Sequence, residues 1–425
     1  MASTKLKDAV LANIDSQRSN IIQFLQQLVQ IPSVTGDEKS IQTFIAQKFE
    51  QMKLRVDMWV PSLYELQKHP AFVPVDQVYT DRPNVVGVRK GAGGGKSLLF
   101  NGHVDVIPTG DINMWKHGPW SGKVIDGKLF GRGASDMKSG LAAMIMAVDA
   151  IHRCDITLKG DVILECTMDE ELSGNGTLAC ILRGYKADAG ICCETSTLAV
   201  QPASIGRIWF EVYIEGKPAG IQRPWEGENA IKKGYAIVKA VEEFGDQRIQ
   251  QHSHVLYPDI HEALPCMITI FDAGSYPSAF PDKCTLKGSL ATLPGEDSDE
   301  VKQSLVSHIH NAAKTDEWMK DHLPEVVFKG YFAEPSEIPV NHPIVIIVAS
   351  NYKAITLKLP EISGRMGAAD TRFLSNYGNT PTVIFGPGST DQMHATNEYV
   401  QLEDLITTTK VLALAILDWC EVAEK

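Results

Sequence analysis

The feature that most constrains this chain is an alternation: short apolar or β-branched runs, bounded by glycine, take turns with stretches of helical period. NVVGVRK (84–90) and SLLFNGHVDV (97–106) read as strands. Met137 to Ile151 is small and apolar with no breaker after Gly140, which predicts a buried helix. The strand-like DVILECTM (161–168) follows, then a helix in GTLACILRG (176–184) and a strand in ADAGICCE (187–194). Such an order builds an α/β sheet with helices on its faces. Upstream, SNIIQFLQQLVQIPS (19–33) and SIQTFIAQKFEQM (40–52) read as helices and LRVDMWV (54–60) as a strand. Residues 61–82 are Pro-rich and irregular, which predicts a surface excursion.

The texture changes near residue 203. RIWFEVYIEG (207–216) alternates as a half-exposed strand and NAIKKGYAIVKAVEEF (229–244) is an amphipathic helix. Strand-like runs around MITIFDAG (267–274) and KCTLKGSLATL (283–293) follow, then an amphipathic helix in DSDEVKQSLVSHIHNAAK (297–314) and a strand in VVFKGYF (326–332). This β-α-β-β-α-β order is the split βαβ sandwich. Beyond it the chain returns to helix and strand, ending in PTVIFGPG (381–388). A chain of 425 residues exceeds one ordinary core. The expected division is therefore a catalytic domain of residues 1–203 and 333–425, interrupted by a smaller domain of residues 204–332.

The formal net charge of −12 argues against nucleic acid or an anionic membrane as the main partner, while leaving a small anionic substrate open. No apolar stretch suits a secretion signal or a membrane span. The eight cysteines lack CxxC spacing and fall mostly in apolar runs, the pattern of buried free thiols, so a cytoplasmic setting is expected.

Several strand ends carry chemistry. His103 and Asp105, two apart in GHVD, share one face; a metal-ligating imidazole steadied by a carboxylate and a plain polar pair both fit. Asp136, after the turn GRGASD, could ligate a metal or cap a helix. Asp169, Glu170 and Glu171 are consecutive beside a core strand, which is costly unless cations or water neutralise them. Adjacent Glu170 and Glu171 point apart, so one can ligate while the other acts as base; an ordinary acidic loop is the alternative. Glu194 ends another apolar strand and His394 lies in the loop after the last one. His103, Asp136, Glu171, Glu194 and His394 together suit two divalent ions at the carboxyl edge of a sheet, with one carboxylate bridging.

With those residues in view, FNGHVDVIP (100–108), the run from Trp115 to GRGASDMK (131–138), the triplet DEE, Glu194, and GPG with HATNEYV (394–400) resemble the acetylornithine deacetylase, succinyl-diaminopimelate desuccinylase and aminoacylase family of peptidase family M20-like hydrolases. The resemblance covers nearly the whole chain, including IPS (31–33). It implies a mixed-sheet α/β catalytic domain of the zinc-aminopeptidase type with an inserted lid through which two copies dimerise. It also implies that His103 and Glu194 hold one metal, Glu171 and His394 the other, and that Asp136 bridges them. Asp105 would orient His103, Glu170 would be the general acid/base, and Arg372 would bind a substrate carboxylate or serve as a structural arginine. The metals could be Zn²⁺, Mn²⁺ or Co²⁺, and the substrate a small molecule.

One family residue is missing. The lid normally carries a histidine in a frame that GKPAGIQRPWEGENAI (216–231) keeps, with Gly220 in its place. That histidine donates to the oxyanion of the intermediate, and losing such a donor costs roughly 10²–10³ in rate. Arg223 or Gln222 could replace it, or the protein could be a non-catalytic metal-binding relative. A third option is a reaction without a carbonyl oxyanion, such as hydrolytic deamination of an electron-poor aromatic amine. The 5-nitroanthranilate aminohydrolase branch works in that way, with Trp209, Phe210 and Trp225 available to stack on a ring. The expectation from sequence places this aromatic aminohydrolase ahead of an N-acyl amino acid deacylase.

Overall fold

A computed structural model describes residues 3–424. The chain separates into two compact units: residues 1–203, 337–363 and 369–425 form the first, and residues 204–336 with 364–368 the second.

The first unit is built on a large mixed sheet. Strand Arg55–Trp59 pairs antiparallel with Asn84–Arg89, which pairs antiparallel with Val162–Thr167. From there the strands run parallel: Val162–Thr167 beside Leu98–His103, then Ala189–Cys192, then Thr382–Ile384. Each of these four parallel strands is buried along its whole length, as expected for a sheet covered on both faces. Helix Lys138–Arg153 is buried from Lys138 to Ile151, and it shares a core with helix Leu402–Cys420 and helix Arg18–Gln30. The register matters for function. His103 pairs with Thr167, and Asn101 with Cys192, so the carboxyl ends of neighbouring strands lie level.

Residues 61–82 run mostly exposed and irregular, as expected, with one short helix, Leu63–Leu66. Within them Leu66, Ala71 and Tyr79 join a core cluster with Met168, Leu178 and Phe373, and Arg82 is buried. Side chains spaced irregularly along the segment supply this burial, which periodicity does not reveal.

The second unit carries a separate antiparallel sheet. Strand Gly206–Glu215 lies between Lys283–Thr292 and Glu325–Val327, and Cys266–Ala273 forms the edge beyond Lys283–Thr292. Helices Ala230–Gln251 and Ser298–Ala313 contribute Ile237, Val241, Leu305 and Ile309 to its core. Asn229 and Asp297 cap these helices by accepting from backbone amides of the first turn. The element order is the split βαβ sandwich. Phe210 is buried in this core, so it is a packing residue and not a ring-stacking surface; Trp209 and Trp225 are exposed. Among the described residues, no helix is long and apolar enough to cross a membrane.

Candidate metal centre

Strand ends bring the candidate ligands together in the first unit. His103 is the last residue of its strand, Glu194 lies two residues beyond Cys192, and the acidic triplet follows Thr167 and Met168. Asp136 occupies the turn before helix Lys138–Arg153, joined to Met137 by a cis peptide bond. His394 sits in the loop after Thr382–Ile384 with a left-handed φ of 61°.

Two imidazole–carboxylate pairs result. His103 Nε2 lies 3.0 Å from Glu194 Oε1, and His394 Nε2 lies 3.0 Å from Glu171 Oε2. Asp136 stands between them: its Oδ1 is 3.3 Å from His103 Nε2 and its Oδ2 is 3.5 Å from His394 Nε2. Glu170 Oε2 is 3.8 Å from His103 Nε2. Potential ligand atoms of His103, Asp136 and Glu171 fall within 4.8 Å of one another, as do those of His103, Glu170 and Glu194.

The residues fit divalent cations. Asp136 Oδ1 is a buried carboxylate oxygen with no hydrogen-bond partner among the described residues, an arrangement that costs free energy unless a cation meets it. Burial pushes the Glu170 carboxyl well above its ordinary range, with the His103 charge opposing; burial and the Asp136 charge push Glu171 in the same direction. Burial favours the neutral His103 ring, but Asp136 and Glu194 outweigh it and raise its pKa. Clustered acids competing for protons are what a cation would relieve.

The means of orienting His103 differs from expectation. Its Nδ1 is 2.9 Å from the backbone carbonyl of Asp105 and 3.6 Å from the Asp105 carboxylate, so the carbonyl is the acceptor and leaves Nε2 for a metal. The buried Asp105 carboxylate instead accepts from Thr35 Oγ1 at 2.8 Å, the Glu170 amide at 3.1 Å and the Glu171 amide at 3.3 Å. It holds the backbone that carries the base and a ligand. Burial pushes its pKa up to about 7, with His103 opposing.

Glu398 escaped the sequence reading. It is buried and accepts from Arg132 Nη1 at 2.8 Å and from the amides of Gly133, Ser135 and Asp136 at 2.9, 2.7 and 3.0 Å. It therefore clamps the glycine-rich turn that presents Asp136. The signal was a glutamate in HATNEYV, indistinguishable from a solvated side chain without knowledge of its distant partners.

Arg372 is buried in the first unit and donates to the carbonyls of Ala369 at 3.0 Å and Ser173 at 2.8 Å, with Asp370 Oδ1 3.7 Å from its Nη1. Gly220 and Arg223 lie in the second unit. Arg223 is exposed and pairs with Glu226 at 3.2 Å. A Cβ at Gly220 would meet only Gln222 Oε1, at 3.3 Å, so packing does not explain the glycine.

Comparison with known proteins agrees with this picture. The model of peptidase family M20/M25/M40 matches residues 99–418. The chain is 28% identical over 436 residues to the N-formyl-4-amino-5-aminomethyl-2-methylpyrimidine deformylase of Halalkalibacterium halodurans, covering 97% of each chain. It is also 28% identical over 434 residues to the deformylase of that name from Bacillus subtilis, covering 96% of each. Its fold is similar to that of the M20 family metallo-carboxypeptidase Sso-CP2 from Sulfolobus solfataricus, with a TM-score of 0.72, 17% identity, and 93% of this chain and 98% of the other covered.

Proposed function

Because the chain belongs to peptidase family M20/M25/M40 and is a metal-dependent hydrolase of that family, we propose that it hydrolyses the formamide C–N bond of a small N-formylated amine borne on an electron-poor heteroaromatic ring. The observation that carries the choice of substrate is the likeness, along nearly the whole chain, to the two deformylases. Neither is named for deamination of an aromatic amine, so the 5-nitroanthranilate reading yields to deformylation.

In this reading His103 and Glu194 would hold one ion and Glu171 and His394 the second, with Asp136, whose two carboxylate oxygens reach toward both histidines, shared between them. Zn²⁺, Mn²⁺ or Co²⁺ bound there would supply Lewis acidity to the carbonyl and the attacking water. Glu170 accepts the proton of the attacking water and returns it to the leaving nitrogen, so that formamide and water become formate and free amine. Asp105 holds Glu170 in place through the backbone. Gly220 is easier to reconcile with this substrate than with a bulkier amide, since a formyl carbon bears hydrogen and is the more electrophilic. The exposed side chains of Met267, Ile270 and Phe271 on the edge strand Cys266–Ala273 support pairing of two copies through the second unit.

The test is direct. The Zn²⁺- or Mn²⁺-loaded protein should release formate from N-formyl-4-amino-5-aminomethyl-2-methylpyrimidine, with much slower turnover of N-acetyl- or N-succinyl-amino acids. Ammonia released from 5-nitroanthranilate with no formate from the formamide would reverse the choice. No turnover of any of these with both ions bound would favour a non-catalytic relative.

A further inference from the structure

The acidic triplet is also held from the side of its first residue. Asp169, the first of the three, is buried, has a left-handed φ of 69°, and turns its carboxylate away from Glu170 and Glu171 into a polar web. Arg82 Nη2 donates to Asp169 Oδ1 at 2.6 Å, while its Nε and Nη2 donate to Glu38 Oε2 at 2.8 Å and Oε1 at 2.6 Å. Tyr79 Oη donates to Asp169 Oδ2 at 2.8 Å, and the Ser173 hydroxyl donates to the same oxygen. Asn175 Nδ2 donates to Tyr79 Oη at 2.9 Å. Arg82 is 2% exposed and its fork is spent on buried carboxylates, a geometry that lysine cannot reproduce.

This web meets the catalytic machinery at a single turn. A left-handed φ at an aspartate is tolerated but unfavourable, so surrounding contacts must impose it. On one side they are Arg82 and Tyr79, acting on the Asp169 carboxylate; on the other is Asp105, accepting the next two amides. The backbone between these anchors carries Glu170 and Glu171. We propose that Arg82 and Tyr79 are positioning residues: through Asp169 they fix the direction in which Glu170 and Glu171 leave the strand Val162–Thr167. Neither belongs to the proposed ligand set. This inference rests on the assignment of Glu171 as ligand and Glu170 as base, and not on the identity of the substrate.

The test uses the full chain loaded with Co²⁺, whose visible spectrum reports ligand geometry without any substrate. Tyr79→Phe removes two hydrogen bonds, the one given to Asp169 and the one accepted from Asn175, and keeps the packing; Arg82→Lys keeps the charge and loses the fork; Arg82→Met loses both. Loss of an outer-shell partner typically costs roughly 10–100-fold in metal affinity or activity. The expected result is a tenfold or greater loss of affinity for one Co²⁺ and an altered spectrum in Tyr79→Phe and Arg82→Lys. On the formamide, kcat should fall while KM stays within twofold. If both variants keep wild-type Co²⁺ affinity and spectrum and lose only thermal stability, the web is a structural brace and the proposal is overturned. Should Arg82→Met fail to fold, Tyr79→Phe decides the matter alone. Glu171→Gln is the control: if it leaves Co²⁺ binding unchanged, the ligand assignment has failed rather than the positioning role.

Discussion

The two histidines of the centre differ in how they are held. His103 ends a buried strand, is 1% exposed, and has its Nδ1 fixed by the Asp105 carbonyl. The His394 side chain is 51% exposed, on a loop, and its contacts by Nε2 are with Glu171 and Asp136. One half of the site is therefore set by the sheet, and folding alone positions it. The other is assembled by a loop whose geometry depends on what its imidazole meets. This difference teaches that a symmetric list of ligands does not imply equal sites: the His103 half should bind tightly and the His394 half should bind weakly and exchange.

The largest effect should come from the proposed base. Glu170→Ala should lower kcat by roughly 10²–10⁴-fold, the range of general acid–base catalysis, with metal content unchanged. Loss of metal together with activity would show that Glu170 is primarily a ligand. The comparison itself is broken or sharpened next. His103→Ala should abolish binding of both ions, because it leaves Asp136 and Glu194 without their imidazole, whereas His394→Ala should retain one ion per chain. Metal analysis after gel filtration reads this, and chelation of the wild type should be biphasic; equal losses in the two variants would end the distinction.

A smaller effect is expected at the turn that presents Asp136 to both histidines. Glu398→Gln keeps the shape and removes the charge that the surrounding amides and Arg132 share, so metal affinity should fall roughly tenfold. Isothermal titration would register the change, and an unaltered affinity would limit Glu398 to a packing role. The smallest effect lies beneath the His103 half. Glu165 is fully buried, accepts from Asn101 Nδ2 at 3.2 Å, and has its pKa raised to about 8 by burial. The folded state therefore holds a proton that the unfolded chain releases near its ordinary value of 4.5, and stability should fall as pH rises from about 4.5 to 8. Glu165→Gln should flatten that decline in thermal melts and raise Tm modestly at pH 8. A wild type whose melting is independent of pH across that window would show that the carboxyl ionises without cost.

Much of the site was legible because it is written at strand ends. A run such as VILECT followed by charge is costly unless something neutralises the charge, and that local conflict singled out Glu170 and Glu171 without a structure. His103 and Glu194 became candidates from the same position at strand ends, and Asp136 from its place after the glycine-rich turn GRGASD. Arg372 was left between substrate binder and structural arginine, because an arginine beside an aspartate carries no sign of whether it meets solvent or carbonyl oxygens. The burial of Tyr79 and Arg82 within residues 61–82 was not legible, because prolines suppress periodicity there and the partners that bury them lie near residues 38 and 169.

The sequence by itself determined the element order of both units, the residue types able to ligate cations, and the family to which the chain belongs. Those properties are local, or are sums of local signals: period, composition, and charge beside an apolar run. Only the tertiary structure decided that Asp136 stands between the two histidines, that a carbonyl and not a carboxylate orients His103, and that Glu398 and Arg82 hold the turns carrying the ligands. Each depends on groups brought together across long stretches of chain (265 residues separate Glu398 from Gly133), and hydrogen bonds over such separations leave no periodic trace in the sequence.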